Sequence, residues 1–391
     1  METTFNRLVR AIEKRYSSLL AHGQFEAFAL QLVGGPTAVF GRGDPAVTLV
    51  VKDRRGLLAL RTLDALAVGE AYLAGFLDIR GDLARLLALR DLFADRHPLR
   101  FVYRFLRPFL FGQVASDRAW IASHYDSEPE FYSRFLDARH RCYSHGVFAT
   151  DDEPLEDAIT RKLDFALEAT RLEPGQRVLD IGGGWGAFPE YAGKRGIRVT
   201  TLTISESSER FIADLIARDG LPCAVLRQHF FDHRPEQPYH AIVNMGVTEH
   251  LPDYRRTLQR YEELLVPGGR VYLDASACRR KHDVSTFFER YIFPGNGSPL
   301  CLHDYLLEVS RTKLEVEAVH NDRRNYLLTT RRWAENLDAH RAEVEERWGT
   351  AQYRRFQIYL WGCVDGFTRD IIQAYRLVLR KNPGQRSASD A

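Results

Sequence analysis

The stretch VLDIGGGWGAF, residues 178–188, decides the fold of this 391-residue chain. An apolar run leads directly into Gly182, Gly183 and Gly184, and Gly186 precedes the next helical pattern. In parallel α/β sheets, glycines at this place let a ligand approach the backbone at the carboxyl end of a strand. The stretch therefore predicts a buried strand, a ligand-binding turn and the start of a helix.

Three ligands would suit such a turn: a dinucleotide, a phosphate group, or the amino-acid end of S-adenosylmethionine. A P-loop is excluded because no Gly-Lys-Ser/Thr follows. A dinucleotide is disfavoured because Asp180, two residues before the first glycine, would repel a pyrophosphate. The same carboxylate would attract the ammonium and sulfonium groups of S-adenosylmethionine, and VPGGRVYL (266–273) supplies a turn and strand typical of methyltransferases. The sequence therefore predicts an S-adenosylmethionine site.

Strand and helix patterns alternate around this turn from about residue 155 onward. Further strands are predicted by RVTTLTIS, CAVLRQ, YHAIVNMGV and GGRVYLDAS, with helices between them. This order predicts an α/β fold with a doubly wound sheet, the Rossmann-like fold of class I methyltransferases, with helical insertions. Before it, an amphipathic helix over 4–22 and strands at TAVFG and AVTLVVKD predict a small α+β domain that ends near residue 115.

Composition and charge narrow the function classes. A net charge of +2 argues against a nucleic-acid partner. The five cysteines are scattered, so no zinc site, other metal site or disulfide framework is predicted and a cytoplasmic location is expected. No signal peptide or bilayer-spanning stretch is apparent. The segment 97–113 interleaves aromatic residues with arginines, which suits a peripheral contact with the inner face of the membrane; an interdomain helix is the alternative.

Several stretches together resemble the cyclopropane-fatty-acyl-phospholipid synthases and their mycolic-acid relatives. They are HYDSEPEFYSRFLD (124–137), VLDIGGGWG, TLTIS, GVTEHL, FFERYIFPG (287–295) and HNDRRNY (320–326). GEAYLAGFLDIRGDL (69–83) is more weakly similar to the family's N-terminal domain. The resemblance implies a lipid-binding domain over 1–115 and a methyltransferase domain over 116–381, and the composition after them predicts a disordered tail over 382–391.

The resemblance implies methyl transfer from S-adenosylmethionine to the double bond of an unsaturated phospholipid acyl chain at the membrane surface. A base then removes a proton. Its loss from the added carbon closes a cyclopropane ring, whereas its loss elsewhere leaves a methyl or methylene branch. Two alternatives stay open, a small-molecule methyltransferase on the same scaffold and a catalytically inactive lipid-binding homologue. A homodimer is compatible with the sequence.

Matching the family's motifs also assigns residues to the cofactor and to the substrate. The residues matched to the cofactor site are Tyr125, Tyr143, Ser144, Gly182, Gly184, Thr203 and Gln228, to which the charge argument adds Asp180. For Thr203 the alternative is a strand-end residue with no ligand contact. Ser208 and His229 depart from the family's pattern, which leaves the contacts around them undefined. Tyr291 and Phe293 are expected to line the substrate pocket, with core packing as the alternative.

The family holds a bicarbonate ion as its presumed base, with a cysteine, a glutamate, a histidine and a tyrosine. Glu249 and Tyr326 match two of these positions, but His145 stands at the cysteine and Asp274 at the histidine. A second carboxylate disfavours bicarbonate by like-charge repulsion. We therefore predict that His145 accepts the proton, oriented by Asp274 or Glu249. The alternative is that both replacements are drift in an inactive homologue.

Overall fold

The computed structural model describes residues 1–20, 26–95, 129–294 and 297–383. Three features of the sequence analysis lie outside this part of the chain: the segment 97–113, Tyr125, and residues 384–391 of the expected tail. Within the described residues, no helix combines the length and the apolar character needed to cross a membrane.

The N-terminal part is an α+β unit built on a four-stranded sheet. Its elements are α1 (Glu2–Leu20), β1 (Phe28–Leu32), β2 (Thr37–Phe40), β3 (Val47–Val51), α2 (Arg54–Leu60), α3 (Ala65–Leu73), β4 (Leu77–Gly81) and α4 (Leu83–Leu87). The sheet order is β2-β1-β3-β4, with β1 parallel to β3 and the other pairs antiparallel. The predicted helix and the strands β2 and β3 are confirmed. The pattern over residues 63–93 predicts only helical runs broken by glycines, so β4 is a correction: its five residues are too few to show alternation.

The second part contains a seven-stranded sheet. Its strands are β5 (Arg177–Ile181), β6 (Arg198–Thr203), β7 (Ala224–Arg227), β8 (Tyr239–Met245), β9 (Leu265–Ala277), β10 (Leu314–Asn321) and β11 (Gln373–Lys381). The strand order is β10-β11-β9-β8-β5-β6-β7, and β5 to β9 run parallel to one another. The strand β11 pairs antiparallel with β9, and β10 pairs antiparallel with β11. The five strands of the doubly wound prediction are confirmed, and β10 and β11 are additions to it.

The helices cover this sheet and connect it to the N-terminal unit. They are α5 (Pro129–Tyr132), α6 (Leu155–Thr170), α7 (Ala187–Gly193), α8 (Glu206–Asp219), α9 (Tyr254–Leu264), α10 (Thr286–Tyr291), α11 (Leu302–Val309), α12 (Arg323–Ala339), α13 (Arg341–Trp348) and α14 (Thr350–Thr368). Buried Arg354 of α14 donates to the carbonyl oxygens of Tyr72 and Leu77, at 2.7 and 3.2 Å, and the Tyr72 hydroxyl donates to Gln357. These bonds fix the N-terminal unit against the helical layer.

The strand order places a ligand site between β5 and β8. From β5 the chain winds outward through β6 and β7, and then returns to the other side of β5 as β8. Ligands in such sheets bind at the carboxyl ends of the strands where the winding reverses. Gly182 follows β5 and Gly246 follows β8, so both glycines lie at this edge.

Candidate active site

A cleft of about 140 Å³ lies at the carboxyl ends of β5, β6 and β8, and we call it the glycine-turn cleft. Among the residues that line it are Tyr143, Ser144, Asp180, Gly182, Gly184, Thr203 and Gln228, which were all predicted to hold a cofactor. Gly182 has φ +80°, and a Cβ atom there would lie 2.3 Å from Cγ2 of Val247. The turn therefore requires glycine both for its backbone angle and for its close approach to the segment after β8.

The two residues that depart from the family's pattern also line the cleft. The Ser208 hydroxyl donates to the carbonyl oxygen of Gly184 at 2.7 Å, which ties α8 to the glycine turn. The imidazole of His229 accepts from the backbone N–H of Phe231 at 3.2 Å. Both side chains therefore brace the wall of the cleft.

Asp180 is the acidic group of the glycine-turn cleft. One carboxylate oxygen accepts from the Thr201 hydroxyl at 3.0 Å, and the side chain is 2% exposed. Burial raises the pKa of Asp180 to about 7, although the bond from Thr201 lowers it. A cationic ligand beside this carboxylate would favour its ionised form and would be held by it.

A larger cavity, of about 570 Å³, lies between the N-terminal unit and the part that contains the seven-stranded sheet, and we call it the interdomain cavity. Its wall is mostly apolar; the side chains from the N-terminal unit include Leu49, Val68, Tyr72, Leu77, Leu83, Leu86 and Phe93, and those from the other part include Phe287, Phe288, Ile292, Ile358, Tyr359, Phe367 and Ile372. Tyr143, Gly246 and His250 line both this cavity and the glycine-turn cleft, so the two spaces share a wall.

Only one of the two predicted substrate-pocket aromatics lies on this wall. Phe293 lines the interdomain cavity. Tyr291 is not one of the lining residues; its hydroxyl donates to Glu70 at 3.0 Å and its ring packs on Phe287. The helix α10 turns Tyr291 toward the N-terminal unit, so this residue contributes to the domain contact.

Glu249 brings a carboxylate to the interdomain cavity. Its Oε1 accepts from the backbone N–H and the hydroxyl of Ser276, at 2.7 and 2.8 Å. Its Oε2 is buried and has no hydrogen-bond partner among the described residues. Burial raises the pKa of Glu249 to about 7, against the lowering effect of the bonds from Ser276. One oxygen is thus fixed, and the other has an unused acceptor position.

Tyr326 also lines the interdomain cavity. Its ring stacks on Phe367, with 4.9 Å between centroids, and lies 4.8 Å from the ring of His145. Burial, together with the negative charges of Glu249 and Asp274, raises the pKa of Tyr326 well above its ordinary value. The phenol therefore stays protonated at neutral pH and can act as a hydrogen-bond donor.

His145 lies behind Tyr326 and lines neither space. It is fully buried, and its Nε2 donates to Asp322 at 3.0 Å. Asp322 also pairs with Arg376. Burial would raise the pKa of Asp322, but His145 and Arg376 hold it well below its ordinary value. The predicted orienting partners, Asp274 and Glu249, are therefore replaced by Asp322, because the junction between β10 and α12 brings that carboxylate to the ring.

Asp274 likewise lies away from both spaces. It is fully buried on β9, where its Oδ2 lies 3.4 Å from Nζ of Lys162 and accepts from the Tyr272 hydroxyl at 3.2 Å. Lys162 was not among our predicted site residues. A signal for it exists in the sequence, since a lysine interrupts the apolar stripe of α6, which buries Leu155, Ile159, Leu163 and Ala166.

The four positions that the resemblance assigns to a bicarbonate ion do not form one pocket. Glu249 and Tyr326 face the interdomain cavity, whereas His145 and Asp274 are bonded behind it. Asp274 moreover brings a carboxylate to a position where an anion site needs a hydrogen-bond donor. The residues present therefore do not fit this ion.

The chain is similar in sequence to known proteins. The sequence profile of the family described as Mycolic acid cyclopropane synthetase matches residues 113–377. The chain is 28% identical over 329 residues to the cyclopropane-fatty-acyl-phospholipid synthase of Escherichia coli K12, which covers 81% of this chain and 83% of that protein. It is 27% identical over 338 residues to the sphingolipid C9-methyltransferase of Candida albicans, covering 80% of this chain but only 65% of that enzyme.

A solved structure is similar as well. The mycolic acid cyclopropane synthase CmaA1, complexed with SAH and CTAB, aligns with a TM-score of 0.63 and 26% identity, over 68% of this chain and 98% of that one. That structure shares the Rossmann-like arrangement of the parallel strands and helices described above.

Proposed function

The chain belongs to the mycolic acid cyclopropane synthetase family and is an S-adenosylmethionine-dependent methyltransferase, and from this premise we propose that it methylates the double bond of an unsaturated lipid chain. The observation that carries the proposal is the apolar interdomain cavity, which shares Tyr143, Gly246 and His250 with the glycine-turn cleft. A hydrocarbon chain in the cavity would meet the cofactor across this shared wall.

The glycine-turn cleft would hold S-adenosylmethionine, with the turn at Gly182 and Gly184 and the carboxylate of Asp180 toward its positive charges. When bound, the cofactor supplies an electrophilic methyl group. An alkene is a weak nucleophile, so the chain's contribution is alignment of the double bond and exclusion of water. The apolar walls of the interdomain cavity suit both tasks.

In this proposal Glu249 accepts the proton. Transfer of the methyl group to the alkene would form one carbon–carbon bond with the alkene's π electrons and leave a carbocation on the lipid chain. The electrons of the broken sulfur–methyl bond would stay on sulfur, in the departing S-adenosylhomocysteine. Oε2 of Glu249 then takes a proton, and the electrons of the broken C–H bond quench the cation. Loss of a proton from the added carbon closes a cyclopropane ring. After a hydride shift, loss of a proton from the added carbon gives a methylene group, and loss of a proton from the lipid chain gives an unsaturated methyl branch. His145 supports the site through Tyr326.

The test is mass spectrometry of lipids after incubation of the purified protein with methyl-deuterated S-adenosylmethionine. Liposomes should contain either a monounsaturated phospholipid or an unsaturated sphingolipid, in separate reactions. Retention of two of the three deuterium atoms means that the added carbon lost the proton, and retention of all three means that the lipid chain lost it. No label in either lipid would overturn the proposal in favour of a small-molecule substrate or an inactive homologue.

We expect kcat/KM for lipid methylation to rise with pH across about 7 and then to level off. Glu249 must be ionised to accept a proton, and its pKa in the free protein is about 7. Below that value the protonated form dominates, so that at pH 6 the rate constant should be about tenfold below its plateau. A profile that stays flat between pH 5.5 and 8.5, with the protein still folded, would contradict this assignment.

Replacing Asp180 by asparagine should weaken cofactor binding about tenfold, because a charge-assisted bond to the ligand's ammonium becomes a neutral one. Asparagine keeps an oxygen for the Thr201 hydroxyl, so the strand end should stay in place. The measurement is isothermal titration with S-adenosylhomocysteine, which carries the same ammonium. Asp214→Asn, an exposed change on α8, is the matched control, and equal dissociation constants for the two variants would refute the role of Asp180.

A further inference from the structure

We propose that Lys162 is a positioning residue for methyl transfer, which holds the loop Cys142–Ser144 in place between the glycine-turn cleft and the interdomain cavity. The inference deepens the proposed function and rests on it for the role of the two spaces. It assigns Asp274 as the counter-ion of this lysine.

The first observation is the place of Lys162 in its helix. It lies on the inward face of α6, with Ile159, Leu163 and Ala166, and none of its surface is exposed. A charged group so deeply buried costs several kcal/mol unless it is paired and fully hydrogen-bonded. Packing alone would be served better by an apolar side chain of similar length, such as methionine.

The second observation is the set of partners. The ammonium group donates to the Ser144 hydroxyl and to Sγ of Cys142, the latter at 3.2 Å, and lies 3.4 Å from Oδ2 of Asp274. These partners use all three of its N–H donors. Burial alone would lower the pKa of Lys162, but the contacts with Asp274 and Cys142 together more than offset this and raise it. The lysine therefore stays positively charged.

The third observation is what the loop does. Cys142, Tyr143 and Ser144 line the glycine-turn cleft, and Tyr143 also lines the interdomain cavity. Ser144 packs closely on the turn after β8, where a Cβ atom at Gly246 would lie 3.3 Å from Cβ of Ser144. A shift of this loop would therefore change the wall that the two spaces share.

Other parts of the loop are also held by side chains. Asp137 accepts from the backbone N–H of Cys142 at 2.8 Å, and Thr329 accepts from that of Gly146 at 3.0 Å. Lys162 binds the side chains of Cys142 and Ser144 in the same loop, and its contact with Asp274 joins the loop to β9. Helix, strand and loop thus meet at one ammonium group.

The test compares Lys162→Met with the double variant Lys162→Met/Asp274→Asn, by thermal unfolding and by titration with S-adenosylhomocysteine. The single variant leaves Asp274 buried without its counter-ion, so it should unfold at a lower temperature and bind the ligand about tenfold more weakly. The double variant removes both charges. It should regain thermal stability but keep the weakened binding, because Ser144 and Cys142 still lack their donor.

A purely structural role for the lysine predicts a different result: binding would recover together with stability in the double variant. That result, or wild-type affinity in Lys162→Met, would overturn the proposal. If the single variant does not fold, the double variant still decides the question by its affinity. Lys313→Met, at an exposed lysine, is the control. Because the ligand titration needs no lipid, a failure of the proposed lipid substrate is read separately from a failure of this inference.

Discussion

Replacement of Glu249 by glutamine is expected to lower the rate of lipid methylation about 10³-fold and to leave cofactor affinity unchanged. General bases contribute about 10²- to 10⁴-fold to the rates of enzymes. Glutamine has the shape of glutamate, and its amide oxygen can still accept from the backbone N–H and hydroxyl of Ser276. The carboxylate that receives the proton is lost, whereas the wall of the cavity is retained. The measurement is the single-turnover rate of label transfer from S-adenosylmethionine into lipid.

The control for this variant is Glu236→Gln, at an exposed residue that lines neither space. In Glu249→Gln the rise in kcat/KM across pH 7 should disappear together with the rate. If Glu249→Gln methylates lipid at the wild-type rate and keeps the pH profile, Glu249 is not the proton acceptor.

The choice between Glu249 and His145 shows what the sequence could predict at the site. The positions of Glu249 and Tyr326 follow from local structure, because Glu249 comes shortly after β8 and Tyr326 lies in the first turn of α12. The motif match assigned both residues to one site, and both line the interdomain cavity. The partner of His145 depends instead on packing between segments 177 residues apart, since Asp322 reaches it from the end of β10. No periodicity in either segment encodes that contact. The sequence analysis for this reason named Asp274 and Glu249 as the partners.

Lys162 illustrates a second limit. Its position on the apolar stripe of α6 is visible in the sequence, but a lysine there is equally compatible with a helix end or a solvated edge. Only the fold reveals that Asp274 on β9 faces it and that the loop at Ser144 covers it.

The same holds for the sheets. The parallel strands follow from their continuous apolar runs, whereas β4 and β11 depend on neighbours that pair with them.

The size of the interdomain cavity depends on a glycine in the middle of a helix. Gly362 lies within α14 and borders the cavity, and a Cβ atom there would have no atom within 4 Å apart from its chain neighbours and the nearby backbone of its own helix. A glycine inside a helix costs about 1 kcal/mol relative to alanine, because it loses more backbone entropy on folding. No close contact at this position requires glycine. The space beside it belongs to the cavity.

Gly362→Trp is therefore expected to lower the rate of lipid methylation about 100-fold and to leave cofactor affinity unchanged. A misplacement of the reacting atoms by about 1 Å costs about 10²-fold in rate. An indole in the cavity should displace the reacting carbon of a lipid chain by more than this distance. Gly362→Ala is the matched control. It adds one methyl group in open space, should stabilise the fold by about 0.5–1 kcal/mol, and should keep the wild-type rate. Label transfer into lipid and titration with S-adenosylhomocysteine measure the two effects. Unimpaired lipid methylation in the tryptophan variant would contradict binding of the lipid chain in this cavity.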